Sequence, residues 1–170
     1  MYLLPSTLIK FGLKCSERPR KGPKVKKTLF ATPQDAETAF YDAFAKGDLD
    51  AMMEVWADDD DIYCVHPGGP RMSGVAQIRE SWRKIFASGQ SLRFQLRGQQ
   101  YLNGMMLSAH SVYEHISVTG ETRARGPMIA TNIYLRTEHG WRMVAHHASA
   151  APAPATAEAE PRRQVRTTLH

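Results

Sequence analysis

Apolar positions recur with a helical period in three stretches and then change to a period of two. Ala36, Phe40, Ala43 and Phe44 share one helical face. Thr32-Pro33 offers an N-cap residue followed by proline at the first helical position, and Gly47 is a stop. Asp48 can cap a second, short helix whose apolar face is Leu49, Met52, Met53 and Trp56, and the acidic run Asp58–Asp61 ends it in solvent. A third stripe, Val75, Ile78, Trp82, Ile85 and Phe86, runs from a Ser73 cap to Gly89. Between helices two and three, Ile62–His66 alternates and reads as a strand, broken sharply by Pro67-Gly68-Gly69-Pro70.

Everything after Gly89 has strand character. Leu92, Phe94 and Leu96 alternate, and Asn103-Gly104 is a type I′ hairpin signal. Met105–Ile116 forms a long strand, a turn falls near Gly120, and Met128–Arg136 is the next strand. Glu138-His139-Gly140 then turns into Trp141–Ala148. Three helices followed by a long antiparallel meander predict an α+β domain, with a curved antiparallel sheet packed on the N-terminal helices. A twisted sheet wrapped around helix one makes a half-open cone, and its interior is the expected place for a small molecule.

Length and charge divide the 170 residues into a domain and two tails. Residues 1–30 carry eight Lys and Arg against one Glu and show no sustained periodicity, so they read as a disordered basic arm. Residues 31–150 are mildly acidic and form the folded domain, large enough to bury roughly two-thirds of their unfolded surface. Residues 151–170 open with Ala-Pro-Ala-Pro-Ala and form a disordered Ala/Pro/Arg tail. Three readings of the arm stay open: a solvated extension, an organelle-targeting segment, and a nucleic-acid tether. The tether is the weakest, because no aromatics are interleaved with the charges of Arg18–Lys27. No apolar run is long enough to span a membrane. The two cysteines, Cys15 and Cys64, make no disulfide framework, and Cys64 reads as a buried thiol in a reducing compartment. The cytoplasm is therefore the expected location.

Four motifs appear in order: Lys46-Gly47-Asp48-Leu49-Asp50, Trp56-Ala57-Asp58-Asp59, Gly74-Val75-Ala76-Gln77-Ile78-Arg79 before Trp82, and Gly140-Trp141-Arg142-Met143-Val144 with His147 and Ser149. In these the chain resembles the nuclear transport factor 2-like superfamily, in its SnoaL-like and ketosteroid-isomerase-like branch, over about residues 33–150. The resemblance implies a cystatin-like roll: a cone of curved antiparallel sheet lined by three helices, usually dimeric through the open sheet face. It also implies a range of activities, including isomerases, cyclases, dehydratases and non-catalytic modules, so the fold alone assigns no reaction. In ketosteroid isomerases a general-base Asp precedes a Pro. Counting from Gly47, that position is His66. The helix-one Tyr oxyanion donor falls on Phe40, which has no hydroxyl, and the second donor falls near Thr131 or Asn132. Classical ketosteroid isomerisation is not expected.

His66 is the principal candidate for chemistry. A neutral imidazole takes a proton near neutral pH, and this one ends a strand before a rigid turn. The competing reading is a structural histidine at the cone rim. His147 shares a strand face with Trp141, Met143 and Ala145, and His146 points to the other face. One of the pair is expected to line the interior and the other to meet solvent or a partner, with His147 the candidate. Phe40, Trp56, Trp82, Asn132 and Tyr134 are candidate ligand-binding residues, although the two tryptophans also suit plain core packing. His66, His147 and Glu114 would make a sensible metal set by ligand type, but no tight spacing supports it, and no metal is expected. Asp58–Asp61 fails the calcium-loop pattern. There is no dinucleotide fingerprint, P-loop, HExxH or nucleophile elbow, so no cofactor is called for.

The sequence therefore predicts a SnoaL-like pocket protein that serves as a ligand-binding or dimerisation module. Its expected ligand is a small apolar or carbonyl-bearing molecule, and its expected partner is a second copy through the sheet face. The alternative is a cofactor-independent isomerase, cyclase or dehydratase using His66 as general base. Nucleic-acid binding through the arm is a distant third.

Overall fold

The computed structural model describes residues 28–89, 92–118 and 126–152. Nearly all of the expected basic arm, the Ala/Pro/Arg tail beyond residue 152 and the turn near Gly120 lie outside the described residues.

Helix α1 spans Pro33–Lys46. The Thr32 hydroxyl accepts from the Asp35 amide at 3.1 Å and the Asp35 carboxylate accepts from the Thr32 amide at 2.9 Å, a reciprocal capping box. Gly47 ends the helix at φ 66°, the left-handed conformation that glycine adopts without strain. Helix α2, Leu49–Val55, starts from Asp48, whose carboxylate accepts from the Ala51 amide at 3.0 Å. Helix α3 is Gly74–Phe86. Ser73 occupies its N-cap position but makes no side-chain cap; the Gln77 side chain accepts from the Ser73 amide instead, at 3.2 Å.

The strands are β1 Tyr63–Val65, β2 Arg71–Ser73, β3 Leu92–Asn103, β4 Leu107–Val118, β5 Met128–Thr137 and β6 Gly140–Ala150. They form one sheet in the order β2-β1-β6-β5-β4-β3. The pair β1–β6 is parallel and the others are antiparallel, so the curved sheet is mixed. The sequence pattern missed β2, which has three residues and follows the turn through residues 67–70 at once. The β3–β4 hairpin forms where expected, but not through a type I′ turn. Neither Asn103 nor Gly104 has positive φ, and residues 104–106 make the connection, with the Gly104 amide donating to the Leu107 carbonyl at 2.8 Å.

The inner face of the sheet packs on the helices. Phe40, Met52, Val55, Ile78 and Trp82 are fully buried against Val112, Ala130, Tyr134 and Met143. Trp82 makes edge contacts with Phe40 and Phe44, at ring separations of 5.5 and 4.7 Å. These side chains fill the part of the cone where a cavity was expected.

One irregularity decides which histidine enters the cone. Ile133 pairs with Ala145, but Tyr134 pairs with Met143, so Val144 is an extra residue in β6. A bulge of this kind reverses the in-out alternation beyond it. Met143 is buried before it, and His146 and Ala148 are buried after it, whereas His147 is exposed on the outer face. The expectation that His147 lines the interior is therefore corrected: His146 does.

Candidate functional site

His66 follows β1 directly. The register Val65↔His147 places the end of β1 beside β6, and Pro67 turns the chain away. The imidazole stands edge-on to Trp82 at 4.7 Å. Its Nε2 lies 3.2 Å from Ser81 Oγ, whose own proton goes to the Ile78 carbonyl at 2.8 Å. The serine oxygen is therefore an acceptor, His66 donates from Nε2, and Nδ1 keeps its lone pair. Burial lowers the His66 pKa below the ordinary histidine value, so the ring is neutral at pH 7. Cys64 Sγ sits 3.8 Å from Nε2, and burial pushes its thiol up to about 12, which leaves it un-ionised.

His66 lines a cleft of about 570 Å³ between β2 and α3. Pro70, Met72, Ala76 and Ile85 form apolar wall, and Gln77 and Lys84 bring polar ends. Glu80 also borders it, but Arg83 holds that carboxylate through two bonds of 2.7 and 2.8 Å and keeps its pKa well below the usual range.

Behind the Phe40–Trp82 layer runs a buried hydrogen-bonded chain. His146 Nδ1 donates to Asn132 Oδ1 at 2.7 Å, Asn132 Nδ2 donates to the Tyr41 hydroxyl at 3.2 Å, and Tyr41 donates to Glu114 Oε1 at 2.7 Å. Burial drives His146 down to about 3 and raises both Glu114 and Tyr41, so the chain favours neutral members. The His146 ring comes within 6.3 Å of the His66 ring. A second buried set lies at the other end of α1. His110 Nδ1 is 3.1 Å from Glu37 Oε1, and His110 Nε2 is 3.0 Å from Ser108 Oγ.

The residues expected to form one site are thus spread over six places. His66 lines the cleft. Phe40 and Trp82 are the core layer behind it, and Asn132 belongs to the buried chain. Trp56 is buried at the end of α2, bridged to Met143, and Tyr134 is buried with its ring 4.9 Å from His110; neither lines the cleft. His147 borders a hollow of about 340 Å³ on the outer sheet face with Tyr63, Thr131 and Ser149. His66, His147 and Glu114 cannot converge on one ion, because His147 and Glu114 lie on opposite faces of the sheet.

Sequence reasoning missed Ser81, Tyr41, His146 and the Glu37–His110 pair. The alternation of Ser108, His110, Val112 and Glu114 along β4 was the available signal for the last. Tyr41 escaped because the count from Gly47 landed on its neighbour Phe40, yet it is Tyr41 that brings a hydroxyl into the interior.

The motif set and the fold agree with a sequence match. The profile of the SnoaL-like domain family covers residues 34–154. The chain belongs to the SnoaL-like family. Among solved structures, this SnoaL-like domain is 39% identical to a Thiobacillus denitrificans protein proposed to be a calcium/calmodulin-dependent protein kinase type II association domain. That match covers 73% of this chain and 98% of the other, with a TM-score of 0.69. It is 30% identical to a Streptomyces avermitilis protein of the nuclear transport factor 2-like family, proposed to be a dehydratase, over 69% and 92% of the two chains, with a TM-score of 0.64. Structures described as cystatin-like share the fold at lower identity. An Arabidopsis thaliana F-box protein, SKIP8, is 26% identical over 126 residues. The match takes in 72% of this chain and 52% of that protein, so the SnoaL-like chain spans about half the length of this curated relative.

Proposed function

We propose that this SnoaL-like domain is a small-molecule-binding module that pairs with a second copy of itself. Its ligand is a compact, largely apolar molecule bearing a carbonyl or carboxylate, seated in the His66 cleft. The observation that carries the reading is the lining of the His66 cleft: an apolar wall of Pro70, Met72, Ala76 and Ile85, with the Lys84 ammonium and the Gln77 amide as donors for a ligand oxygen, and the Glu80 carboxylate at its border already held by Arg83.

The rival reading is a cofactor-independent isomerase, cyclase or dehydratase with His66 as base. It draws on the Nδ1 lone pair of that ring and on the Streptomyces relative. Such a reaction needs donors placed where negative charge develops. The buried donors closest in type, on Tyr41 and Asn132, are already engaged behind Phe40 and Trp82. That argument favours binding over turnover.

A thermal-shift screen of small carbonyl and carboxylate compounds, run on the wild type and on His66→Ala, separates the two. The binding reading expects hits that weaken about tenfold or more in His66→Ala and are recovered chemically unchanged by mass spectrometry. A product that vanishes in His66→Ala and persists in His139→Ala, an exposed-turn control, would establish the enzyme instead. Absence of any His66-dependent hit would sink both readings.

A further inference from the structure

The cleft beside His66 has two unlike ends. Gln77 and Lys84 line it from α3 seven residues apart, which is two helical turns, or about 10 Å along the axis. Glu80 and Ser81 lie between them on the helix, and His66 stands against Ser81. The apolar side chains of Met72, Ala76 and Ile85 border the same space.

The donors in the middle are already spent. Ser81 gives its proton to the Ile78 carbonyl, and His66 gives its Nε2 proton to Ser81. Arg83, which does not line the cleft, takes both Glu80 oxygens at 2.7 and 2.8 Å. Lys84 Nζ is left 3.7 Å from Glu80, beyond hydrogen-bond distance, and Glu80, Arg83 and Lys84 together leave one positive charge over. Gln77 is half engaged. Its Oε1 accepts from the Ser73 amide at 3.2 Å, which fixes the orientation of the side-chain amide and leaves its two N–H groups without an acceptor among the described residues. The free polar capacity of the wall is therefore a cation at one end and an uncharged donor at the other, with apolar surface between them. A cation is best met by a carboxylate, whereas an uncharged N–H is satisfied by a carbonyl or hydroxyl oxygen.

We infer that the ligand of this cleft is a medium-chain carboxylate with a second, uncharged oxygen near its far end, an inference that rests on the cleft being a binding site. The carboxylate sits on Lys84, the far oxygen accepts from the Gln77 amide, and the carbon chain lies on Met72, Ala76 and Ile85. The reverse orientation is worse, because it sets a neutral oxygen against the uncompensated charge and a carboxylate against an uncharged donor. The two turns between Gln77 and Lys84 set the length: a shorter ligand reaches one end only.

The probe is 7-oxooctanoate, titrated into the full chain by calorimetry, with its methyl ester lacking the charge and octanoate lacking the second oxygen. The oxo acid is expected to bind at least about fivefold tighter than the ester and at least about threefold tighter than octanoate. Lys84→Met, at a side chain 71% exposed, should abolish the preference for acid over ester and keep the preference for oxo acid over octanoate. Gln77→Glu keeps an oxygen for the Ser73 amide but removes the donor, so octanoate should then bind at least as well as the oxo acid. Arg83→Gln leaves the lining of the cleft unchanged and frees Glu80 to draw in Lys84, so the preference for acid over ester should shrink. Circular dichroism checks each fold. Equal affinity for acid and ester, a charge preference that survives Lys84→Met, or a second-oxygen preference that survives Gln77→Glu would each overturn the assignment. No saturable binding of the oxo acid at millimolar concentration, beside neutral compounds that bind and weaken in His66→Ala, overturns it while the binding reading stands. If no compound binds in a His66-dependent way, both fall.

Discussion

Tyr41 shows how a single hydroxyl organises the interior. It donates to Glu114, 73 residues away, and accepts from Asn132, 91 residues away. Tyr41→Phe keeps the ring and removes both bonds, leaving a buried carboxylate oxygen and a buried amide proton without partners. The expected cost is about 2 kcal/mol, read from urea denaturation; a change within error of zero would mean water takes over both bonds. His146 yields a prediction about acid. Its folded pKa is about 3 against an ordinary 6.5, so between these values the unfolded chain binds the proton and the folded one does not. Its contribution to stability is complete above pH 6.5 and is lost as pH falls towards about 3. Glu114 works in the opposite direction. Its raised pKa makes the folded state hold a proton that the unfolded state has released, a contribution lost as pH rises through the folded value. His146→Gln should therefore flatten the acid loss of stability and Glu114→Gln should steepen it. Urea midpoints measured across this pH range test both, and parallel curves for wild type and His146→Gln would remove His146 from the account.

At the scale of elements, the ends of the helices were legible because caps are local. Thr32, Gly47 and Asp48 act within a few residues of themselves, and all three behave as their types predict. The orientation of His146 and His147 was not legible, because it depends on one unpaired residue, Val144, whose place in the register is set only when β6 is laid against β5. The buried polar chain was hidden for the same reason: its members meet only after the sheet is assembled. Tertiary constraint of this kind also acts on Gly140, which has φ 86° and stands at the start of β6. The incoming chain crosses it, the Trp141 amide donating to the Phe30 carbonyl at 2.9 Å. A Cβ on Gly140 would meet that same carbonyl oxygen at 2.4 Å, inside any permitted contact. Gly89 has a similar φ of 65° but nothing within 4 Å of an added Cβ. Gly89→Ala should cost about 1 kcal/mol from backbone strain alone, and Gly140→Ala distinctly more, about 3 kcal/mol, because Phe30 must move as well. Thermal or urea unfolding of the two variants gives the comparison, and equal losses would mean that the Phe30 crossing adds no stability.

For the whole molecule, the decisive asymmetry is between the two faces of the sheet. The inner face is covered by helices, while the outer face keeps Leu107, Tyr113 and Leu135 exposed at 45, 43 and 37%. Half-buried Ile129 and Ile133 continue this surface around the His147 hollow. An apolar surface spread across neighbouring strands is the kind that a partner covers. A second copy does so with one self-complementary patch, in which every substitution acts twice. The proposed dimer therefore has a sharp test in Ile133→Arg, which puts two like charges into the same desolvated contact. The wild type should sediment at twice 19.1 kDa and the variant at 19.1 kDa. A monomeric wild type, or a variant that remains dimeric, would move the pairing surface elsewhere. The His66 cleft shares no lining residue with this hollow. Ligand affinity there should survive in the monomeric variant, and its loss would show that pairing shapes the cleft as well as burying the sheet.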